Sequence, residues 1–264
     1  MNYFRSFITF TGLLALTVVS SVAAELASAK VTAVTGTVTL YPASGPDRPL
    51  KVGDIVKEGD DISATALSNA SFVFSNGSTL ELEENSSLTF SDLQQESFSG
   101  GKTYEQLEAD PSKSQTILEL NYGTVSGHVK KLKPGSNFSV ETILGTAAIR
   151  GTIFTVRLNY NSSTGELALI IRNRGGLIDL IGGFVGSGSE YKYTGGEKIV
   201  KAIDSLNFVV VRLSRTDPNY EEILEVIFDF FPSDKPPVVI PLPTPVLTPE
   251  DPSVIIVSPE GAAT

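Results

Sequence analysis

Side-chain catalysis needs a nucleophile, a base or a metal cluster, and this chain of 264 residues is poor in all three. It holds one histidine, His128, within Val125-Ser126-Gly127-His128-Val129, and no cysteine. An imidazole acts as a general base when a further group, usually a carboxylate, orients it. No acid neighbours His128 in sequence, so it reads as a surface or interface residue of a strand. The missing thiols remove a thiolate nucleophile, an iron–sulfur cluster, Cys-based zinc, a disulfide framework and a lipid-modified cysteine. Acidic pairs occur at Asp60-Asp61 and Glu83-Glu84. Neighbouring strand residues point to opposite faces, so such a pair cannot share a substrate within a strand. Carboxylates that cleave glycosides must face each other across a cleft. Asp54, Asp60 and Asp61 suit calcium better, as hard oxygen donors on turns. No EF-hand or repeat-toxin loop surrounds them, and turn acids commonly close Asx-turns. The string Gly182-Gly183-Phe184-Val185-Gly186-Ser187-Gly188 lacks the strand–GxGxxG–helix context and a P-loop lysine, and reads as a loop. No catalytic residue, metal site or cofactor is expected, and the chain is read as non-enzymatic.

The charge balance narrows the partners. The formal charge is -10 and the charged fraction only 19%, against 41% hydrophobic residues. That hydrophobic share supports a packed core, while the acidic surface repels nucleic-acid phosphate. The one local basic concentration, Lys130, Lys131 and Lys133, adjoins Pro134-Gly135 and reads as a solvated loop. Nucleic-acid binding is not expected.

The elements that must carry these residues are strands. From Lys30 to Leu213 apolar residues recur with period two, as half-buried strands require. Val34, Gly36, Val38 and Leu40 form one such run; Leu80 and Leu82, Phe138 and Val140, Phe154, Val156 and Leu158, and Leu167, Leu169 and Ile171 form others. Turn chemistry bounds them at Pro46-Asp47, Gly59-Asp60, Pro134-Gly135 and Gly195-Gly196. Asn76-Gly77, between Phe72-Val73-Phe74 and Leu80-Glu81-Leu82, predicts a tight hairpin with positive φ at both central residues. A faint echo places Gly before strand residues at Val34-Thr35-Gly36-Thr37-Val38, Tyr122-Gly123-Thr124-Val125 and Gly175-Gly176-Leu177-Ile178. Irregular spacing argues against a solenoid, and the need of loops for positive φ suffices to explain it. The segment from Glu96 to Ser114 loses the pattern and reads as a long excursion, with room for one helical turn in residues 104–110, and as mobile rather than functional. The predicted fold is all-β, an antiparallel β-sandwich or roll over residues 30–213, with one C-terminal amphipathic helix and a disordered Pro-rich tail.

Both ends differ in character from this body. Arg5, the apolar run Phe7 to Val19 and Val22-Ala23-Ala24 predict a signal peptide over residues 1–24, with cleavage before Glu25 and Ala27-Ser28-Ala29 as a second cleavage site. No later stretch is apolar and long enough to span a membrane, so no span is expected after cleavage. Asp217-Pro218 predicts a helix start, and Tyr220, Ile223, Leu224, Ile227 and Phe231 a single apolar stripe over 217–231. Over residues 232–264 repeated prolines favour an extended spacer with apolar beads at Val238-Val239-Ile240 and Val254-Ile255-Ile256-Val257.

Several stretches in order resemble one family. Leu50-Lys51-Val52-Gly53-Asp54, Gly59-Asp60-Asp61-Ile62 and Phe74-Ser75-Asn76-Gly77-Ser78-Thr79-Leu80 resemble the first half of a FecR-like domain. Leu120-Asn121-Tyr122-Gly123-Thr124-Val125 and Ala147-Ala148-Ile149-Arg150-Gly151-Thr152-Ile153-Phe154-Thr155-Val156 resemble its second half, with the Arg-Gly-Thr-x-Phe-x-Val core its most recognisable element. Gly53, Asp54, Asn76, Gly77, Arg150, Gly151, Thr152 and Phe154 are the motif positions, expected to define the fold rather than a binding site. In the family's best-known members a cytoplasmic anti-sigma segment and a membrane helix precede this domain; neither is visible in this sequence, so relay across a membrane by this chain alone is not expected.

The resemblance implies a bacterial extracytoplasmic module, periplasmic or secreted, that senses, binds or scaffolds through protein partners in the cell envelope. The contrasting expectation is a carbohydrate- or surface-binding adhesion protein, calcium-assisted, with Tyr191 and Tyr193 stacking on sugars.

Overall fold

The computed structural model describes residues 27–98 and 101–230. The expected signal peptide, Phe231 and the Pro-rich tail lie outside the described residues. The chain forms β1 (Ala29–Thr35), β2 (Val38–Tyr41), β3 (Arg48–Pro49), β4 (Ile55–Val56), β5 (Asp61–Ala64), β6 (Asn69–Phe74), β7 (Thr79–Leu82), β8 (Ser86–Gln95) and β9 (Ser114–His128). It continues with β10 (Asn137–Thr142), β11 (Gly145–Arg150), β12 (Ile153–Asn161), β13 (Glu166–Asn173), β14 (Leu177–Gly182), β15 (Phe184–Ser187), β16 (Glu190–Tyr193), β17 (Ile199–Ile203), β18 (Phe208–Leu213) and α1 (Tyr220–Phe230).

Two sheets result. The front sheet runs β4-β1-β6-β7-β9-β12-β13-β18-β16-β15. The back sheet runs β3-β2-β5-β8-β9-β10-β11-β14-β17. On most strands alternate residues are sealed between them, as the period of two predicts. Front Phe72, Phe74 and Phe154 interleave with back Phe90 and Phe138 in one aromatic row. Ring centroids lie 5.6 Å apart for Phe72–Phe90, 5.5 Å for Phe74–Phe138 and 6.2 Å for Phe138–Phe154.

The long strand β9 joins the sheets. Up to Tyr122 it pairs with β8 and β10 at the back; from Gly123 it pairs with β7 and β12 at the front. Both ends of β9 therefore lie at the same end of the sandwich. The connection 129–136 leads directly back to the start of β10, which makes the β9–β10 pairing parallel. β16 and β18 also pair in parallel. The expectation of an antiparallel sandwich thus holds for the architecture, with these two ladders as exceptions.

The crossing uses a device found twice. Gly123 has φ +94° and Gly36 has φ +70°. The next amide in each case donates to a buried serine hydroxyl: Thr124 N to Ser86 Oγ at 2.8 Å, and Thr37 N to Ser68 Oγ at 2.9 Å. A Cβ on Gly123 would sit 2.5 Å from the Asn85 carbonyl oxygen, and one on Gly36 2.8 Å from that of Leu67. Only glycine accepts both the dihedral and the contact. The Gly-Thr-Val echo at 36–38 and 123–125 is therefore one corner built twice. This revises the expectation of a single run from Val34 to Leu40, because the chain passes from the front sheet to the back sheet at Gly36.

α1 packs at the end of the sandwich where β9 crosses. Tyr220, Ile223, Leu224 and Ile227 are buried, and the Tyr220 hydroxyl donates to the Gly165 carbonyl at 2.6 Å. The helix starts at Tyr220 rather than Asp217. Asp217 instead closes the turn before it, accepting from Asn219 N at 3.2 Å and, through its carbonyl, from Tyr220 N.

Candidate functional site

The Gly-Asp motifs are paired turns. In Lys51-Val52-Gly53-Asp54 the carboxylate of Asp54 accepts from Lys51 N at 2.9 Å, and in Lys57-Glu58-Gly59-Asp60 that of Asp60 accepts from Lys57 N at 2.9 Å. Gly53 and Gly59 hold nearly the same dihedral, φ +88° and +82°. Arg48 bonds Asp54 at 2.6 Å and, as the largest influence, holds its carboxyl below the ordinary range. Asp60 also accepts from Ala43 N at 3.0 Å, while Asp61 accepts from the Thr89 hydroxyl. These three acids are each committed to protein donors, and among the described residues no group of three metal-ligating side chains converges.

The Asn76-Gly77 hairpin forms, but with another turn. Gly77 alone has positive φ, +82°, and the Gly77 amide donates to the Phe74 carbonyl at 2.8 Å. The loop is a type I turn followed by a left-handed glycine. Asn76 is buried; its Oδ1 accepts from Ser78 N at 2.9 Å. A Cβ on Gly77 would meet the Leu107 Cβ at 2.7 Å, because the segment after Glu96 folds over this hairpin. Its described residues 101–113 are docked where a mobile loop was expected. Lys30 pairs with Glu105 at 2.9 Å, and this bond leads the causes that pull Glu105 down to about 2.

Asp110, 2% exposed, fastens the same segment to the connection after β9. It accepts from Ser114 Oγ at 2.7 Å, Ser136 Oγ at 2.8 Å, Gln95 Nε2 at 3.3 Å and Lys133 N at 3.5 Å, and its own amide donates to the Lys131 carbonyl. Sequence offered no sign of this, since every side-chain partner but Ser114 comes from a remote segment.

The Arg150-Gly151-Thr152-Ile153-Phe154 stretch forms the corner between β11 and β12. Gly151 takes φ +60° with open space around it, so it serves the bend and not a close approach. Thr152 is buried and donates to Asn173 Oδ1 at 2.6 Å; Asn173 Nδ2 donates to the Ile203 carbonyl at 2.7 Å, tying this corner to β17. Asn173 is a structural residue that spacing did not reveal. Phe154 is fully buried. Arg150 points outward, its side chain 68% exposed, with Asp179 3.5 Å away.

This corner separates two open grooves. On the front face a groove of about 570 Å³ is lined by Glu81, Glu105, His128, Lys130, Ile153 and Arg174. Beyond the corner a second groove of about 800 Å³ is lined by Glu108, His128, Lys130, Lys131, Lys133 and Arg150. His128 stands between them. Burial, and next the Lys130 charge, lower its pKa, which favours neutral imidazole. No carboxylate among the described residues hydrogen-bonds to it, so nothing there orients it as a base. Tyr191 is 7% exposed and packs edge-to-face on Phe184 at 5.1 Å, leaving no sugar-stacking platform at that position; Tyr193 is partly buried against the core.

No curated protein matches the chain. Two crystal structures of a candidate anti-sigma factor from Parabacteroides distasonis ATCC 8503, at 1.65 and 2.50 Å, are similar to it with 12% identity and a TM-score of 0.34. The likeness covers 60% of this chain and 61% of that one, so the chain spans about three fifths of that protein's length. The family model described as FecR protein matches residues 60–170, from the Asp60 turn through the two grooves to β13. The chain carries a FecR domain.

Proposed function

We propose that this chain is an exported FecR-domain module that senses, binds or scaffolds through protein contacts in the bacterial envelope. The observation carrying the proposal is the position of the family's most recognisable stretch. Arg150 to Phe154 forms the corner shared by two open grooves, while its buried members, Thr152 and Phe154, fix that corner rigidly. Binding surfaces on loops held by a rigid scaffold are the common way for a β-sandwich to contact partners. The apolar run and small residues at positions 7–24 support export through a cleaved leader.

Crosslinking of the tagged full chain in intact bacterial cells, followed by fractionation and recovery of the tag, tests this. The expected result is protein in the extracytoplasmic fraction beginning near Glu25, joined to a discrete envelope protein. Cytosolic chain retaining its first residues, or no crosslinked protein, would refute it.

A further inference from the structure

We infer that the groove between the 129–136 connection and the β11–β12 corner binds an extended acidic peptide segment of a partner protein. This deepens the proposed protein-interaction role and rests on it. Its walls carry Lys130, Lys131, Lys133 and Arg150 against one carboxylate, Glu108, in a chain whose formal charge is -10. The local field is thus opposite in sign to the molecule's net charge. At physiological salt, charges more than about 8 Å apart are largely screened. A short peptide lying in the groove therefore meets mainly these cations. A broad anionic membrane or a nucleic-acid duplex would also meet the acidic remainder of the surface.

The cations are held in place from behind. Asp110 bonds the Lys133 amide and Ser136, and its own amide reaches the Lys131 carbonyl, so the lysine-bearing backbone is anchored by a buried carboxylate. That anchor limits the ordering cost of binding. Arg150 lines the groove with a side chain 68% exposed and also pairs with Asp179 at 3.5 Å. At about 800 Å³ the groove far exceeds a single phosphate, and the partly exposed Leu132 and the exposed Pro134 give its lining apolar surface between the charges. Alternating acidic and apolar residues along an extended peptide match that pattern, since successive side chains of such a chain point to opposite sides.

The test titrates the purified full chain into a fluorescein-labelled octapeptide of alternating Glu and Leu, read by anisotropy. The same peptide with Lys for Glu, inorganic phosphate, and vesicles containing anionic phosphatidylglycerol serve as comparisons. The expected results are saturable binding of the Glu peptide that weakens with salt, a loss of at least tenfold in Lys131→Glu/Lys133→Glu, a smaller loss in Lys131→Gln/Lys133→Gln, and less than twofold change in Lys57→Glu. Thermal melts confirm that each variant is folded. Equal binding by the charge-reversed variant, equal binding of the Lys peptide, or vesicles that bind as well as the peptide would overturn the inference. Envelope crosslinks that survive the charge reversal would sink the groove and leave the module standing. Absence of any crosslinked partner for the wild type would sink the module, whatever the peptide does.

Discussion

Replacing Phe154 and its neighbour Ile153 separately by alanine probes the sandwich at adjacent residues with opposite fates. Phe154 is fully buried, with Phe138 6.2 Å away across the sheets; Ile153 is 49% exposed on the front groove. Truncating a fully buried phenylalanine costs about 3–5 kcal/mol through lost transfer energy and the cavity left behind. For a domain of this size each kcal/mol lowers Tm by roughly 2–4 °C, so Phe154→Ala should fall by about 6–20 °C. Ile153→Ala removes three carbons worth about 0.8 kcal/mol each when fully buried, and half exposure reduces the total to about 1 kcal/mol. Denaturant titration followed by circular dichroism gives both values, and a shifted midpoint with an unchanged slope identifies a stability effect. Similar costs for the two variants, or a loss below about 1 kcal/mol for Phe154→Ala, would refute the alternation on which the whole fold rests.

Gly123→Ala should destabilise by about 2 kcal/mol or more, because the dihedral is strained and the methyl group meets the Asn85 carbonyl. Adding Ser86→Ala should not rescue it in the same denaturant assay, since the backbone clash remains. Asp110→Ala should cost about 3 kcal/mol by orphaning the hydroxyls and amides it now satisfies, and limited proteolysis should cut first within residues 101–113. The lowered pKa of His128 sets the sign of a pH effect. The unfolded chain binds a proton near pH 6.5 that the fold resists, so stability is lost as pH falls through 6.5 towards the lower folded value. His128→Gln should lose less stability than wild type between pH 8 and 5, with Lys130, Arg174, Glu81 and Glu105 present in both proteins; superimposable pH profiles would show that the imidazole is not penalised.

Local patterning reached most of the fold. The alternation read from Lys30 to Leu213 marked most of the buried side chains but not the break at Gly36, because a strand's period of two is a property of the backbone itself. It marked Phe138, Phe154 and Leu158 without knowledge of their partners. The apolar stripe of α1 was equally local. The Asn76-Gly77 turn was legible in place but not in type: Asn76 lies buried with its side chain on Ser78 N and without positive φ. The two Gly-Asp turns were visible as turns, and their closure by the aspartate side chain follows from spacing of three residues.

What the chain alone determined is the strand character of its body and most of the buried faces, set by contacts within a few residues, together with the stretches that resemble a FecR domain. The tertiary structure decided where strands change sheets, as at Gly36 and Gly123, because a corner needs a serine from another segment to receive the next amide. It also decided the site. Lys130, Lys131, Lys133 and Arg150 share a groove only because β9 crosses between the sheets and both its ends return to one end of the sandwich, where Asp110 holds the connection in place. Side chains separated by strands of intervening sequence meet through packing, and no spacing rule encodes that.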